Sequence, residues 1–69
     1  MINTQLLDEK ITESGLRINF IVDKIGLSRQ GFDKKRKGNT PFRVAEIYVL
    51  SDLLHLDDAE KLKIFYPEG

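Results

Sequence analysis

The residues Ile25-Gly26-Leu27-Ser28 constrain this chain more than any other stretch, because an apolar helical face stops there and a helix-starting residue follows at once. Ahead of them, Ile18, Ile21, Val22 and Ile25 stand at i, i+3, i+4 and i+7, the spacing that lines one side of an α-helix. Gly26 supplies the positive φ that ends a helix at no steric cost, and Ser28 is a favoured N-cap residue. The following segment, Ser28 to Lys37, has Phe32 and almost nothing else to bury. A helix so polar is held by its ends, its neighbours or a ligand. Two helices joined through so short a link form no deep antiparallel hairpin; a sharp turn sets them at about 90 to 120°.

Breakers at Gly15, Gly38, Pro41 and Pro67 mark the other boundaries. A first helix is expected from Asn3 or Thr4 to Ser14, with Leu7 and Ile11 one turn apart and Asp8 and Glu9 near its positive end. A fourth carries Val44, Ile47, Tyr48, Leu50 and Leu54, entered through Thr40-Pro41 or, as preferred here, nearer Arg43. A fifth opens on Asp57-Asp58-Ala59-Glu60, an acidic cap with a glutamate three residues on. It is expected to bury Ala59, Leu62 and Phe65 before Pro67, with Tyr48 and Tyr66 at the core edge. No β-type alternation appears. The expected fold is therefore all-α: one domain over residues 1–69, about five short helices with connections of three to five residues, and a helix-turn-helix unit over about 17–37.

Composition removes several function classes. With no cysteine and one histidine, neither a disulfide framework nor a zinc or iron site is expected, and no cofactor is implied. His55 reads as an exposed residue after the fourth helix. There is no phosphate loop and no Ser/His/acid order, and 69 residues give a core too thin for a deep pocket, so an enzyme is not expected. No apolar run approaches about 18 residues and no secretory leader is visible, which makes the cytoplasm the expected compartment and a membrane partner unexpected.

Formal net charge is zero, yet the charges are segregated. From Arg29 to Arg43 six cations, Arg29, Lys34, Lys35, Arg36, Lys37 and Arg43, face the single Asp33. From residue 44 onward six acids face only Lys61 and Lys63. One part of the surface attracts polyanions and another repels them.

The stretch Leu16 to Gly38, above all Val22-Asp23-Lys24-Ile25-Gly26 and Gln30-Gly31-Phe32, resembles the helix-turn-helix of lambda-repressor and Cro-like phage regulators. Beyond it, Phe42 to Ile47, Leu50 to Leu54 and Lys63-Ile64-Phe65-Tyr66 look like the small Cro-type proteins of Gram-positive temperate phages. The resemblance implies a transcriptional regulator of a lysis-lysogeny switch in a bacterial host cell. It would read double-stranded operator DNA, as a homodimer on half-sites about 34 Å apart. Phe65-Tyr66 offers a seam for such a dimer. Carried over by position, the base-reading candidates are Ser28, Arg29, Gln30, Asp33, Lys34 and Lys37. Arginine forks onto guanine, glutamine pairs with adenine, lysine takes guanine or phosphate, and an aspartate accepts from cytosine. Arg17, Arg36, Asn39 and Arg43 are the phosphate candidates.

The chain also departs from that pattern. Arg17 stands where Thr or Ser usually caps the second helix, and Ile18 where a glutamine usually reaches phosphate. Phe20 replaces a solvated residue, so it is either partly buried or joined with Ile18 in an apolar patch that binds a protein. Lys35 replaces a buried aliphatic residue, which suggests a loosely packed end to the third helix. Small regulators of this setting also act as modulators of repression, and the alternative function is an antirepressor that binds the cognate phage repressor through Ile18, Phe20 and the basic helix.

Overall fold

The computed structural model describes residues 2–67 and contains five helices, with no strand among those residues. They are α1 (Thr4–Ser14), α2 (Ile18–Ile25), α3 (Arg29–Arg36), α4 (Val44–Leu53) and α5 (Asp58–Phe65). None is long and apolar enough to cross a membrane.

Each helix start follows from local chemistry. The Asn3 side chain accepts from the Leu6 N–H at 3.1 Å, and Ser28 Oγ accepts from the Gly31 N–H at 3.0 Å. At α5 the cap is reciprocal, with Asp57 accepting from Glu60 N–H at 2.8 Å and Glu60 from Asp57 N–H at 3.0 Å. Arg17, the N-cap of α2, gives it no side-chain bond. The fourth helix takes the later of its two expected starts, so the link from Lys37 to Arg43 has seven residues, longer than the three to five expected.

Between α2 and α3 only Gly26, Leu27 and Ser28 intervene. The N–H groups of Gly26 and Leu27 both donate to the Val22 carbonyl, at 2.9 and 3.0 Å, which closes α2 in a tight turn. That turn needs φ +85° at Gly26, where an L side chain is strained. Gly26→Ala should therefore cost about 1–2 kcal/mol, read as a lower urea midpoint at unchanged m value. Because nothing lies within 4 Å of the site an added Cβ would take, the loss is conformational rather than steric against a neighbour.

The second helix packs against α3 and α4, while α1 packs against α3 and α5. The core is Leu7 and Ile11, Ile21 and Val22, Phe32, Phe42, Ile47 and Leu50, Leu54, and Ile64 and Phe65. Phe42, from the long link, stacks edge-on to Phe32 at 6.2 Å and to Phe65 at 5.6 Å, so three aromatic rings join α3, the link and α5. The fifth helix is also tied to α1 by an Asn3 N–H to Ile64 carbonyl bond of 2.8 Å and by the Lys10–Glu60 ion pair. The Lys10 hydrogen bond holds the Glu60 carboxyl below the usual glutamate range, and Glu60 in turn raises the Lys10 ammonium.

Those ties turn α5 away from the expected register. Ile64 and Phe65 are buried, whereas Leu62 is 55% exposed and Ala59 lies on the surface. Tyr48 and Tyr66, expected at the core edge, are 65% and 48% exposed.

Candidate nucleic-acid interface

The third helix divides its residues cleanly. Phe32 is fully buried, and Lys35 and Arg36 are largely covered beside it. Gln30, Lys34 and Lys37, at i, i+4 and i+7, fall within about 60° of one another around the helix axis and on the side opposite Phe32. All three are exposed. The sequence therefore places one amide and two ammonium groups along a single solvent-facing stripe.

Arg29, the first residue of α3, lies about 80–100° around the axis from Lys37 and Gln30 of that stripe and is held from two sides. Its Nη1 donates to Asn19 Oδ1 of α2 at 3.3 Å, and its Nε lies 3.8 Å from Asp33 Oδ1 one turn on. The guanidinium stays more than half exposed, so it is oriented without being consumed. Asn19 carried no signal in the sequence, since a pair ten residues apart across a turn matches no helical spacing.

Asp33, the one acid among the cations, is met by two guanidinium groups, because Arg36 Nη2 also approaches Oδ1 at 3.2 Å. These are charge contacts; Asp33 Oδ1 and Arg36 Nε have no hydrogen-bond partner among the described residues. Arg36 is the last residue of α3, lies over the Phe32 ring at 5.9 Å and reaches Asp8 of α1 at 3.8 Å. Its guanidinium thus cements α3 to α1 while it offsets Asp33. Ser28, another base-reading candidate, spends its hydroxyl acceptor on the Gly31 cap bond.

Arg17, Asn39 and Arg43 are exposed at the α2 N-terminus, the link after α3 and the α4 N-terminus respectively. Lys24, absent from the sequence-derived candidates, stands in the last turn of α2 with its Nζ 5.4 Å from the centre of the Phe20 ring. Phe20 is 43% exposed. Ile18 packs against the core instead, because two residues along a helix are about 200° apart. The structure does not bring Ile18 and Phe20 into one patch.

The end of α3 is fixed rather than loose. Lys35 Nζ donates to Glu46 Oε1 at 2.6 Å, and the same oxygen accepts from the Arg43 N–H at 2.9 Å. Both side chains are nearly buried, at 15% and 11% exposure, so a lysine fills the space expected of an aliphatic residue and neutralises its charge across to α4. Burial pushes the Glu46 carboxyl up, but the Lys35 ammonium and the Arg43 N–H together outweigh it and hold it below the usual 4.5. With its folded value below the unfolded one, Glu46 contributes stability that is complete above pH 4.5 and lost as pH falls through the folded value. Urea midpoints measured downward from pH 5 should fall less steeply for Glu46→Gln than for the unmodified chain. At neutral pH the same variant should cost about 1–3 kcal/mol, since Lys35 loses its charged partner.

Among the described residues no group of three or more His, Cys, Asp or Glu is placed to hold a metal ion. A comparison of the chain with known protein families, with curated proteins and with solved structures found no match.

Proposed function

We propose that α2, the Gly26 turn and α3 form a helix-turn-helix of the lambda-repressor type, and that the protein regulates transcription at a phage lysis-lysogeny switch by setting α3 in the major groove of operator DNA. The observation that carries this reading is the exposed stripe of Gln30, Lys34 and Lys37 opposite the buried Phe32. A major groove about 12 Å wide admits one helix, and an amide with flanking ammonium groups is the chemistry that reads base edges and holds phosphate there. Arg29 adds a pre-oriented guanidinium, and Asp33 repels phosphate little because two arginines face it. Arg17, Asn39 and Arg43 supply backbone contacts to either side.

A second reading rests on Phe20. An exposed aromatic ring beside Lys24 on the outer face of α2 is a feature of protein-binding surfaces, and it fits an antirepressor that docks on the repressor of the same switch. Footprinting of switch-region DNA with this protein, the repressor encoded beside it, and both together separates the two. Protection by this protein alone supports operator binding. Loss of repressor protection without any footprint of its own, restored by Phe20→Ala, would replace the first reading with the second.

A further inference from the structure

Among the exposed side chains of α3, Arg29 alone is held by a residue of another helix. Its Nη1 donates to Oδ1 of Asn19, the second residue of α2, at 3.3 Å, while Asp33 Oδ1 lies 3.8 Å from its Nε. Gln30, Lys34 and Lys37 have no such tie through their side chains among the described residues. A guanidinium carries five N–H donors. With Asn19 on one Nη1 hydrogen and Asp33 beside Nε, three remain, the second on Nη1 and both on Nη2, and they form the outer fork of the group. Two parallel donors at that fork match O6 and N7 of one guanine.

We infer that Asn19 is a positioning residue for base recognition, aiming Arg29 at a single guanine. Asp33, a base-reading candidate by sequence, is the second support of that arginine instead. Its own place is set from α1, because Arg36 Nη2 stands 3.2 Å from the same Oδ1 and Arg36 Nε reaches Asp8 at 3.8 Å. With α3 read as a major-groove helix, on which this rests, the first residues of the helix are the ones that meet base edges. Asn19 belongs to α2, so it fixes the fork relative to the whole helix-turn-helix rather than to α3 alone. An exposed arginine without such ties loses its rotamer freedom only on binding, and it can turn to a neighbouring base or a phosphate. Removing Asn19 therefore blurs which base is preferred. It leaves the number of cations facing phosphate unchanged, since an amide carries no charge. The fold does not depend on this side chain, which is exposed, and alanine is the better helix former at its position.

Binding-site selection with the full chain on duplexes randomised over about two helical turns tests this without a known operator. The unmodified chain should enrich a motif, and Arg29→Ala should mark the guanine that Arg29 reads by losing the preference there. Asn19→Ala should weaken the preference for that same guanine about tenfold, with the other positions, the salt slope on the selected duplex and the urea midpoint all held. Asn19→Asp keeps an oxygen acceptor and should restore the preference, even where its added charge lowers affinity for every sequence alike. A motif indifferent to Arg29→Ala or to Asn19→Ala, or one that Asn19→Ala weakens equally at every position, would overturn the inference and leave the DNA-binding reading of α3 standing. No enriched motif from the unmodified chain would overturn both.

Discussion

Phe32→Ala should leave the chain largely unfolded at 25 °C, with the helical far-UV signal lost before any denaturant is added. The ring is fully buried, it meets Phe42 edge-on at 6.2 Å, and it carries the Arg36 guanidinium above it. Truncating a buried phenylalanine costs about 3–5 kcal/mol in lost transfer energy and residual cavity. A domain below about 70 residues seldom holds more than about 3–5 kcal/mol in total. The two quantities match, so one side chain decides whether the domain folds. Phe32→Leu keeps most of the apolar volume and should lose about 1–2 kcal/mol, giving a cooperative urea transition at a lower midpoint.

On the proposed DNA-binding reading, Lys34→Glu combined with Lys37→Glu should all but remove DNA binding with the opposite signature, a fold that is intact. Both side chains are exposed on the stripe opposite Phe32, and among the described residues no ion pair engages either one. Reversing two charges at the groove turns two attractions into repulsions, which should reduce affinity for operator DNA by at least about a hundredfold. The urea midpoint should move by no more than about 0.5 kcal/mol in equivalent stability. Lys35→Met sorts the neighbouring lysine into a different role, because it removes the partner of Glu46 and should act on stability before it acts on DNA.

The features legible from sequence are those that rest on neighbours in the chain. Asn3, Ser28 and Asp57 cap helices because their side chains reach an N–H three residues on, and Gly26 ends α2 because its φ requirement is local. Ile21, Val22 and Phe32 are buried as their spacing implies. What failed to show was set by contacts across the fold. In α5, Leu62 is as apolar as Ile64, and only the bond from Asn3 to the Ile64 carbonyl and the stacking of Phe65 on Phe42 choose which of the two faces inward. Lys35 reads as an unsuitable residue at a packed position until Glu46, eleven residues later, is brought against it. Asn19 and Arg29 likewise meet only because the Gly26 turn folds α3 back on α2. Of the candidate site, the exposed stripe and the pairing of Asp33 with Arg29 and Arg36 follow from helical spacing, but the further contacts of Arg29 with Asn19 and of Arg36 with Asp8 depend on where α2 and α1 lie.

Fluorescence anisotropy of a labelled switch-region duplex, titrated with this protein at several salt concentrations between 50 and 200 mM, tests most directly whether α3 is a DNA-binding helix. Saturable binding at low salt is predicted, with log K falling linearly as log salt rises and the slope reduced by about one for each of Lys34 and Lys37 neutralised. Phe20→Ala should leave that slope unchanged. No anisotropy change on the duplex at 50 mM salt, with folded protein present in excess, would contradict it.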